Sequence, residues 1–409
     1  MTPNAISSAD TDGRERLEDA VRGLRAWVEA RDFAGHDAYD ALRSPFLKLV
    51  SLGMKWPRIA VIQTMKRSPI NLRPLLGVRP GHNPKGLGLF LGSYARIHAR
   101  SADPEVRRHA ERLFELLTRC VTVTTNGHGW GYNFDWQSRA FYVPRGTPTI
   151  VNTAFIGHAL IDAWKAFGED RFLDLALPAR GFILHDLART VDGDAFCFSY
   201  TPIDRLIVHN ANLLGASLLI RLHHVDPHPE SRDVALASLA WSMRRQREDG
   251  SWWYADTDYQ KWIDSFHTGF NLQSIRWFLD LGEAEEHRQG YERGVRFYAD
   301  NFFLPDGRAK YFHDRLEPED VHSYAQALAF FSGEGERYAP LVRRVADRMI
   351  DTFRMPEGWF AFQKRKGRPI RIPYIRWGQA WALYGLTSCL SPIGAFDPKG
   401  NMHADSRYS

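Results

Sequence analysis

A chain of 409 residues, 44% apolar and 25% charged, has the make-up of a folded globular protein and excludes a disordered or fibrous one. Its 53 Lys and Arg against 48 Asp and Glu leave a formal charge of +5, too evenly balanced for a nucleic-acid binder and only a weak bias toward anionic ligands. Three widely separated cysteines, Cys120, Cys197 and Cys389, fit neither a zinc-ligand spacing nor a disulfide framework. No metal-ligand spacing joins His209, His267 and His322 to the acids near them, so no metal is expected, and no cofactor.

Residues 1–14 are polar and acidic, without the basic-then-apolar order of an export leader. No run of about 18 uncharged apolar residues occurs, so no spanning helix is expected and a cytoplasmic location follows. Helix is expected over 14–30. Between 46 and 78 apolar residues alternate with Lys48, Lys55, Arg58, Lys66, Arg67 and Arg73. Two readings stay open for that stretch: a packed helix with a solvated basic face, or attachment to the inner-membrane surface or to an assembly partner.

From residue 79 a repeat governs the chain. Asn152, Asn210, His267, His322 and Trp377 each open an apolar helix and follow one another at about 55 to 58 residues, and the loop around Asn83 starts a sixth unit. Each unit begins with an amphipathic helix, at 103–120, 171–187, 230–247, 283–302 and 338–353, apolar at three- and four-residue spacing. A short aromatic segment follows, then a helix apolar nearly all round, at 86–97, 154–164, 213–222, 270–281, 324–331 and 379–386, which has to be buried. Charged helices alternating with buried ones predict an all-α (α/α)₆ toroid, with short β-like aromatic loops at the face where the inner helices start. Pro178 is the proline expected to kink its helix. The expected division is N-terminal helices over 1–78, partly outer ring, a toroid over 79–390, and a loosely ordered tail over 391–409.

Several segments are specific enough to carry a resemblance. Gly-Trp-Gly-Tyr-Asn-Phe-Asp-Trp-Gln at 129–137, Phe-Ser-Tyr-Thr-Pro at 198–202, Val-His-Asn-Ala-Asn-Leu-Leu-Gly-Ala at 208–216, Trp-Ile-Asp-Ser-Phe-His-Thr-Gly-Phe at 262–270 and Tyr-Phe-His-Asp-Arg at 311–315 are similar to an uncharacterised bacterial family found with exopolysaccharide and lipopolysaccharide biosynthesis genes. At superfamily level the chain resembles the six-hairpin glycosidases and related uronate lyases and epimerases. That resemblance implies a site at the mouth of the inner ring and an acidic oligo- or polysaccharide as partner. The segment 246–252 is also similar to the Gln-to-Trp repeat of triterpene cyclases, but their acidic Asp-x-Asp-Asp run is missing here.

Inner-helix N-termini direct backbone N–H groups and partial positive charge at the mouth. The residues expected there are Asp135, Tyr200, Asp204, Arg205, His209, Asn210, Asn212, Asp264, His267, Asp320, His322, Tyr324, Tyr374, Arg376 and Gln379, with Trp130, Tyr132, Trp136, Trp252 and Trp253 on the adjoining loops. The aromatic residues offer stacking faces for sugars, or else staple their loops to the helices. Proton abstraction beside a uronate carboxylate needs His or Tyr as acid and base and cations or amides to hold the carboxylate. His267 and His322 are the expected acid–base pair, oriented by Asp264 and Asp320, with Tyr200 and His209 as further candidates. Arg205 and Arg376, with Asn210 and Gln379, are the expected carboxylate contacts. An inverting glycoside hydrolase pairing Asp264 with Asp320 or Asp135 is the alternative. A non-catalytic glycan-binding or assembly subunit is a third reading.

Overall fold

The structure, a computed structural model, describes residues 8–139 and 141–390, so the tail expected to be loose lies outside the described residues. In chain order the helices are α1 (Ser8–Glu29), α2 (Pro45–Val50), α3 (Lys55–Arg67), α4 (Pro84–Ser101), α5 (Pro104–Arg119), α6 (Ile150–Phe167), α7 (Asp170–Ala176), α8 (Ala179–Gly181), α9 (His209–Val225), α10 (Pro229–Met243), α11 (Ser265–Asp280), α12 (Arg288–Phe302), α13 (Val321–Phe331), α14 (Ala339–Phe353) and α15 (Trp381–Leu390). Strands are confined to short antiparallel ribbons, none longer than four residues among those described.

Local chemistry sets the helix ends. Asn83, Thr149, Asp264 and Asp320 each turn a side-chain oxygen onto a free N–H of the first turn, at 3.2, 3.0, 3.0 and 3.0 Å. Pro84 and Pro104 occupy first-turn positions where no N–H is needed. Gly168 ends α6 in the left-handed region at φ 69°. α6 buries 14 of its 18 residues, as an all-round apolar helix must. α5 instead buries one stripe, Val106, Ala110, Leu113, Leu116 and Leu117.

α4, α6, α9, α11, α13 and α15 pack side by side in that order, and α15 returns to pack on α4. The inner ring is therefore closed. α5, α7, α10, α12 and α14 each lie outside the inner helix that precedes them, while α1 covers α15 and touches α14. The fold is an (α/α)₆ toroid. α1 completes the outer layer, burying Ala20, Leu24 and Val28 in the common core.

One expected helix is divided. The stretch 171–187 becomes α7, the single turn α8 and a π-helical turn over Phe182–Asp186. Pro178 has no N–H to continue the ladder. Gly181 then lets the chain pass so close to Asn126 that a Cβ would sit 1.9 Å from its carbonyl oxygen.

Candidate active site

The connections that enter the inner helices carry the aromatic segments, and together they enclose a cavity of about 260 Å³. One geometric rule fills its floor. The second residue of every inner strut, Lys85, Val151, Asn210, Phe266, His322 and Arg376, lines it; the last comes from the π-helical turn Ile375–Ala380 that leads into α15. Tyr39, Tyr132, Phe134, Trp136, Tyr200, Tyr254, Trp262, Tyr311, Phe312 and Trp377 form the wall.

Asp264 and His267 make a dyad within the first turn of α11. Asp264 Oδ1 caps the helix at the His267 N–H, and Oδ2 accepts from the His267 ring Nδ1 at 2.7 Å and from the Trp262 indole N–H at 3.0 Å. The capping role and the ring-orienting role therefore belong to one carboxylate. With Nδ1 committed to Asp264, Nε2 is the atom left for chemistry. Tyr254 stacks on Trp262 at 4.6 Å between centroids and meets the His267 ring at 4.7 Å, so the imidazole is fixed on both sides.

His322 sits in an aromatic clamp. Its ring stacks on Phe266 at 4.5 Å and on Trp381 at 4.4 Å, with Trp377 edge-on at 4.7 Å. Both ring nitrogens are buried and have no protein partner, although the side chain lines the cavity. Burial and the nearby charges of Lys85, Arg376, His267 and Lys66 hold its pKa well below the ordinary value, which keeps it neutral. Asp320 lies beneath the layer. Its oxygens accept from the His322 backbone N–H and the Trp377 indole at 3.0 Å each, and from Gln363 at 2.7 Å. Burial raises its pKa. It positions α13 and Trp377, and no hydrogen bond joins it to the His322 ring.

Two basic side chains complete the floor. Arg376 is clamped by both oxygens of Asp37, at 2.7 and 2.8 Å, and lies 5.3 Å from the Tyr132 ring centroid. Burial works against its charge, but Asp37 outweighs burial and raises its pKa. Lys85 makes no ion pair among the described residues; its ammonium lies over Phe155 at 3.9 Å, Phe270 at 5.0 Å and Trp381 at 5.4 Å. Burial, and then Arg376, push its pKa well down. Tyr200 and Tyr132 face each other with hydroxyls 3.5 Å apart, and burial raises both phenols, so they stay protonated.

Of the residues expected at the mouth, Tyr132, Trp136, Tyr200, Asn210, Asp264, His267, His322 and Arg376 line the cavity. The others are placed elsewhere. Trp130 and Trp252 are staples: their indole N–H groups donate to Leu117 O and Ser242 O, near the ends of α5 and α10, at 3.0 and 2.9 Å. Trp253 packs against the Arg247 guanidinium. His209 turns outward from α9 onto Ser242 and Asp256. Asn212 bonds the Phe198 N–H and Ser238, Asp204 closes its own loop onto Tyr200 and Thr201, and Gln379 holds both backbone groups of Phe360. Tyr324 reaches Glu319, and the Tyr374 hydroxyl accepts from Arg73. Arg205 is exposed, and Asp135 pairs with Lys48 at 2.6 Å in a neighbouring crevice. The basic loop 364–371 forms a hairpin against Glu319 and Asp320, outside the cavity wall.

Sequence reasoning missed Lys85, Tyr39, Tyr254 and the Asp37 support of Arg376. Lys85 had a usable signal, its place one residue into an inner helix and two past Asn83, the residue that marks the loop. Tyr39 and Asp37 had none, since they reach the mouth from before the repeat begins.

Neither the protein-family models nor the curated proteins compared with this chain give a match. Solved structures do. An unsaturated glucuronyl hydrolase from Bacillus sp. GL1, described as responsible for glycosaminoglycan degradation, superposes with a TM-score of 0.64 at 14% identity over 95% of this chain and 100% of that one. A sugar epimerase from a ruminal bacterium gives 0.58 at 14% over 78% and 90%. A GH76 α-mannanase from Bacteroides thetaiotaomicron gives 0.56 at 13% over 75% and 85%. At these identities the shared property is the six-hairpin fold.

Proposed function

We propose that this protein is a carbohydrate-active enzyme of bacterial surface-polysaccharide production that moves a proton at a sugar carbon of an acidic saccharide, as a uronyl epimerase or lyase does. The observation that carries the proposal is the pairing, on one cavity floor, of two imidazoles with two buried basic side chains, the Asp37-clamped Arg376 and Lys85. His267 and His322 both pack against Phe266, at 4.5 Å each, so two proton carriers serve one small space. Inversion at a carbon needs two: one to remove a proton and one to return it from the other face. His322, kept neutral, is ready to accept. Asp264 orients His267 and balances the charge that ring gains when it carries a second proton. Arg376 supplies positive charge for a carboxylate and for the enolate-like state beside it, the role expected of it together with Arg205, and Lys85, whose pKa burial lowers, adds an N–H donor that an incoming anion favours in its charged form.

The aromatic wall suits sugar faces. The fold shared with a sugar epimerase and a glucuronyl hydrolase, and the resemblance of residues 129–137 and 262–270 to a family found with polysaccharide gene clusters, point the same way. An inverting hydrolase needs two carboxyl groups across one bond with room for water. The cavity wall carries one, Asp264, which already accepts three hydrogen bonds.

The test is proton NMR in deuterated water with an acidic surface polysaccharide of the host. Deuterium at a ring position with chain length unchanged, or a new alkene signal, is the expected result. New reducing ends without either would overturn the proposal in favour of hydrolysis.

A further inference from the structure

Beside the cavity, and sharing Phe134 with it, lies a second crevice of about 640 Å³. Its polar lining is Arg43, Lys48, Arg79, Asp135 and Arg145. Lys48 and Asp135 cancel at 2.6 Å, and the second Asp135 oxygen is taken by the Arg145 backbone N–H at 2.8 Å. The guanidinium groups of Arg43, Arg79 and Arg145 have no carboxylate partner among the described residues. Three guanidinium groups without a direct ion pair therefore line one space. Arg43 is half-buried there, and burial lowers its pKa, with the Asp40 charge opposing the shift and Arg145 adding to it. Arg79 and Arg145 stand exposed around it, and like charges gathered about a partly desolvated one are unfavourable unless an anion joins them.

We propose that this crevice is an anion subsite for a phosphate or diphosphate group attached to the saccharide whose sugar occupies the main cavity; the saccharide part rests on the function proposed above. A lone carboxylate matches one guanidinium fork, whereas a diphosphate brings two to three charges and enough oxygens for three. Calorimetric titration of the full chain with inorganic diphosphate tests this without any turnover, so it stands apart from the NMR experiment. The expected result is saturable binding that weakens at least tenfold in an Arg43→Gln/Arg145→Gln double variant and is unchanged in Arg119→Gln on the outer ring. No binding, equal binding by the double variant, or an equal loss of glucuronate binding would overturn it. Uridine diphosphate-glucuronate and farnesyl diphosphate in detergent micelles form the two further arms. Tighter, arginine-dependent binding of the first identifies a nucleotide carrier, and of the second a lipid carrier.

The α2–α3 hairpin carries a separate surface. Eight of the thirteen large apolar side chains that stand exposed among the described residues fall between 46 and 75, and six of them between 46 and 56, including Leu49 (72%), Leu52 (71%) and Trp56 (66%). Buried Ile62 and Met65 on the other face already anchor the hairpin, so this patch is surplus to folding. Residues 46–78 contain six Lys and Arg and no Asp or Glu. Lys66 and Arg73 are buried and Lys48 pairs with Asp135, which leaves Lys55 and Arg67 exposed and Arg58 half-buried among the apolar tips; apolar tips beside such cations complement an anionic bilayer. We infer that this hairpin docks the protein on such a surface. Lys48–Asp135, Arg58 over Tyr142 and Lys66 bonded to Tyr39 tie it to the mouth loops, so docking brings the cavity entrance to the lipid side. The test is co-sedimentation with vesicles of equal phosphatidylglycerol and phosphatidylcholine. Binding should be at least tenfold weaker to phosphatidylcholine alone and in Leu49→Ser/Leu52→Ser/Trp56→Ser, whose melting temperature should match the parent. No binding to the anionic vesicles, or a dimer in solution that the triple variant dissociates, would overturn the inference.

Discussion

At Lys85, Val151, Asn210, Phe266, His322 and Arg376 the chain repeats one geometric event: a side chain leaves the first turn of an inner strut, one residue past its start, and points across the axis of the ring. Neighbouring positions meet other fates, as His209 and Gln379 show by bonding outward. Within this layer His322 is the residue with the most to lose. His322→Gln should lower the rate of solvent deuterium exchange by about 10²- to 10⁴-fold, the usual contribution of a positioned acid or base. Binding of the saccharide should persist. Asp264→Asn, which leaves the cap but disturbs the His267 tautomer, should reduce kcat while thermal stability changes little. His322 also predicts a pH dependence of folding. Its folded pKa lies well below the unfolded value of about 6.5, so below that pH the unfolded chain binds the proton that the folded one refuses. Its contribution to stability is thus lost as the pH falls from about 7 toward 5. Denaturant titrations at the two pH values should show the drop, and His322→Phe should make it smaller.

Between elements, close approach sets the terms. Gly385 of α15 lies against α13 so tightly that a Cβ would sit 2.5 Å from the Ala325 carbonyl oxygen. Backbone cannot yield as a side-chain tip can, so Gly385→Ala should destabilise by about 1–3 kcal/mol or more, read from the urea midpoint. The connectors are equally specific. Trp130 and Trp252 were legible as loop tryptophans, but composition gave no means of telling a sugar platform from a staple. What separates them is the direction of the indole N–H: toward the end of an outer helix for these two, and toward Asp320 or Asp264 for Trp377 and Trp262. The split of the 171–187 helix was foreseeable from Pro178. The π-helical turn at Ile375–Ala380 was not, because no single residue announces it.

For the whole molecule, the period of about 55 residues exposed the toroid, since each buried helix has to find a neighbour on either side. The repeat also explains which part of the site was readable. Asn210, His267, His322 and Arg376 fall inside repeating units, and reading Asn152 rather than Val151 as the unit's first layer is a slip of one residue. Asp37, Tyr39 and Asp40 precede the first unit and reach the mouth only because the ring closes. There Asp37 grips Arg376 across a separation of 339 residues, and Asp40 grips Arg73, which in turn holds Tyr374. Asp37→Asn leaves Arg376 buried and underpaired. The expected cost is about 3–5 kcal/mol of unfolding free energy, with loss of saccharide affinity even where the protein still folds.

The closure of α15 onto α4 also has a meaning in time. A ribosome delivers α4 long before α15, and through that interval the growing arc presents two unsatisfied inner-helix flanks, one at each end. The cavity floor lacks its sixth member until Arg376 emerges. Synthesis of this protein is therefore a race between completing the hoop and losing an open arc to aggregation, and the last inner helix, not the first, decides when a binding site exists.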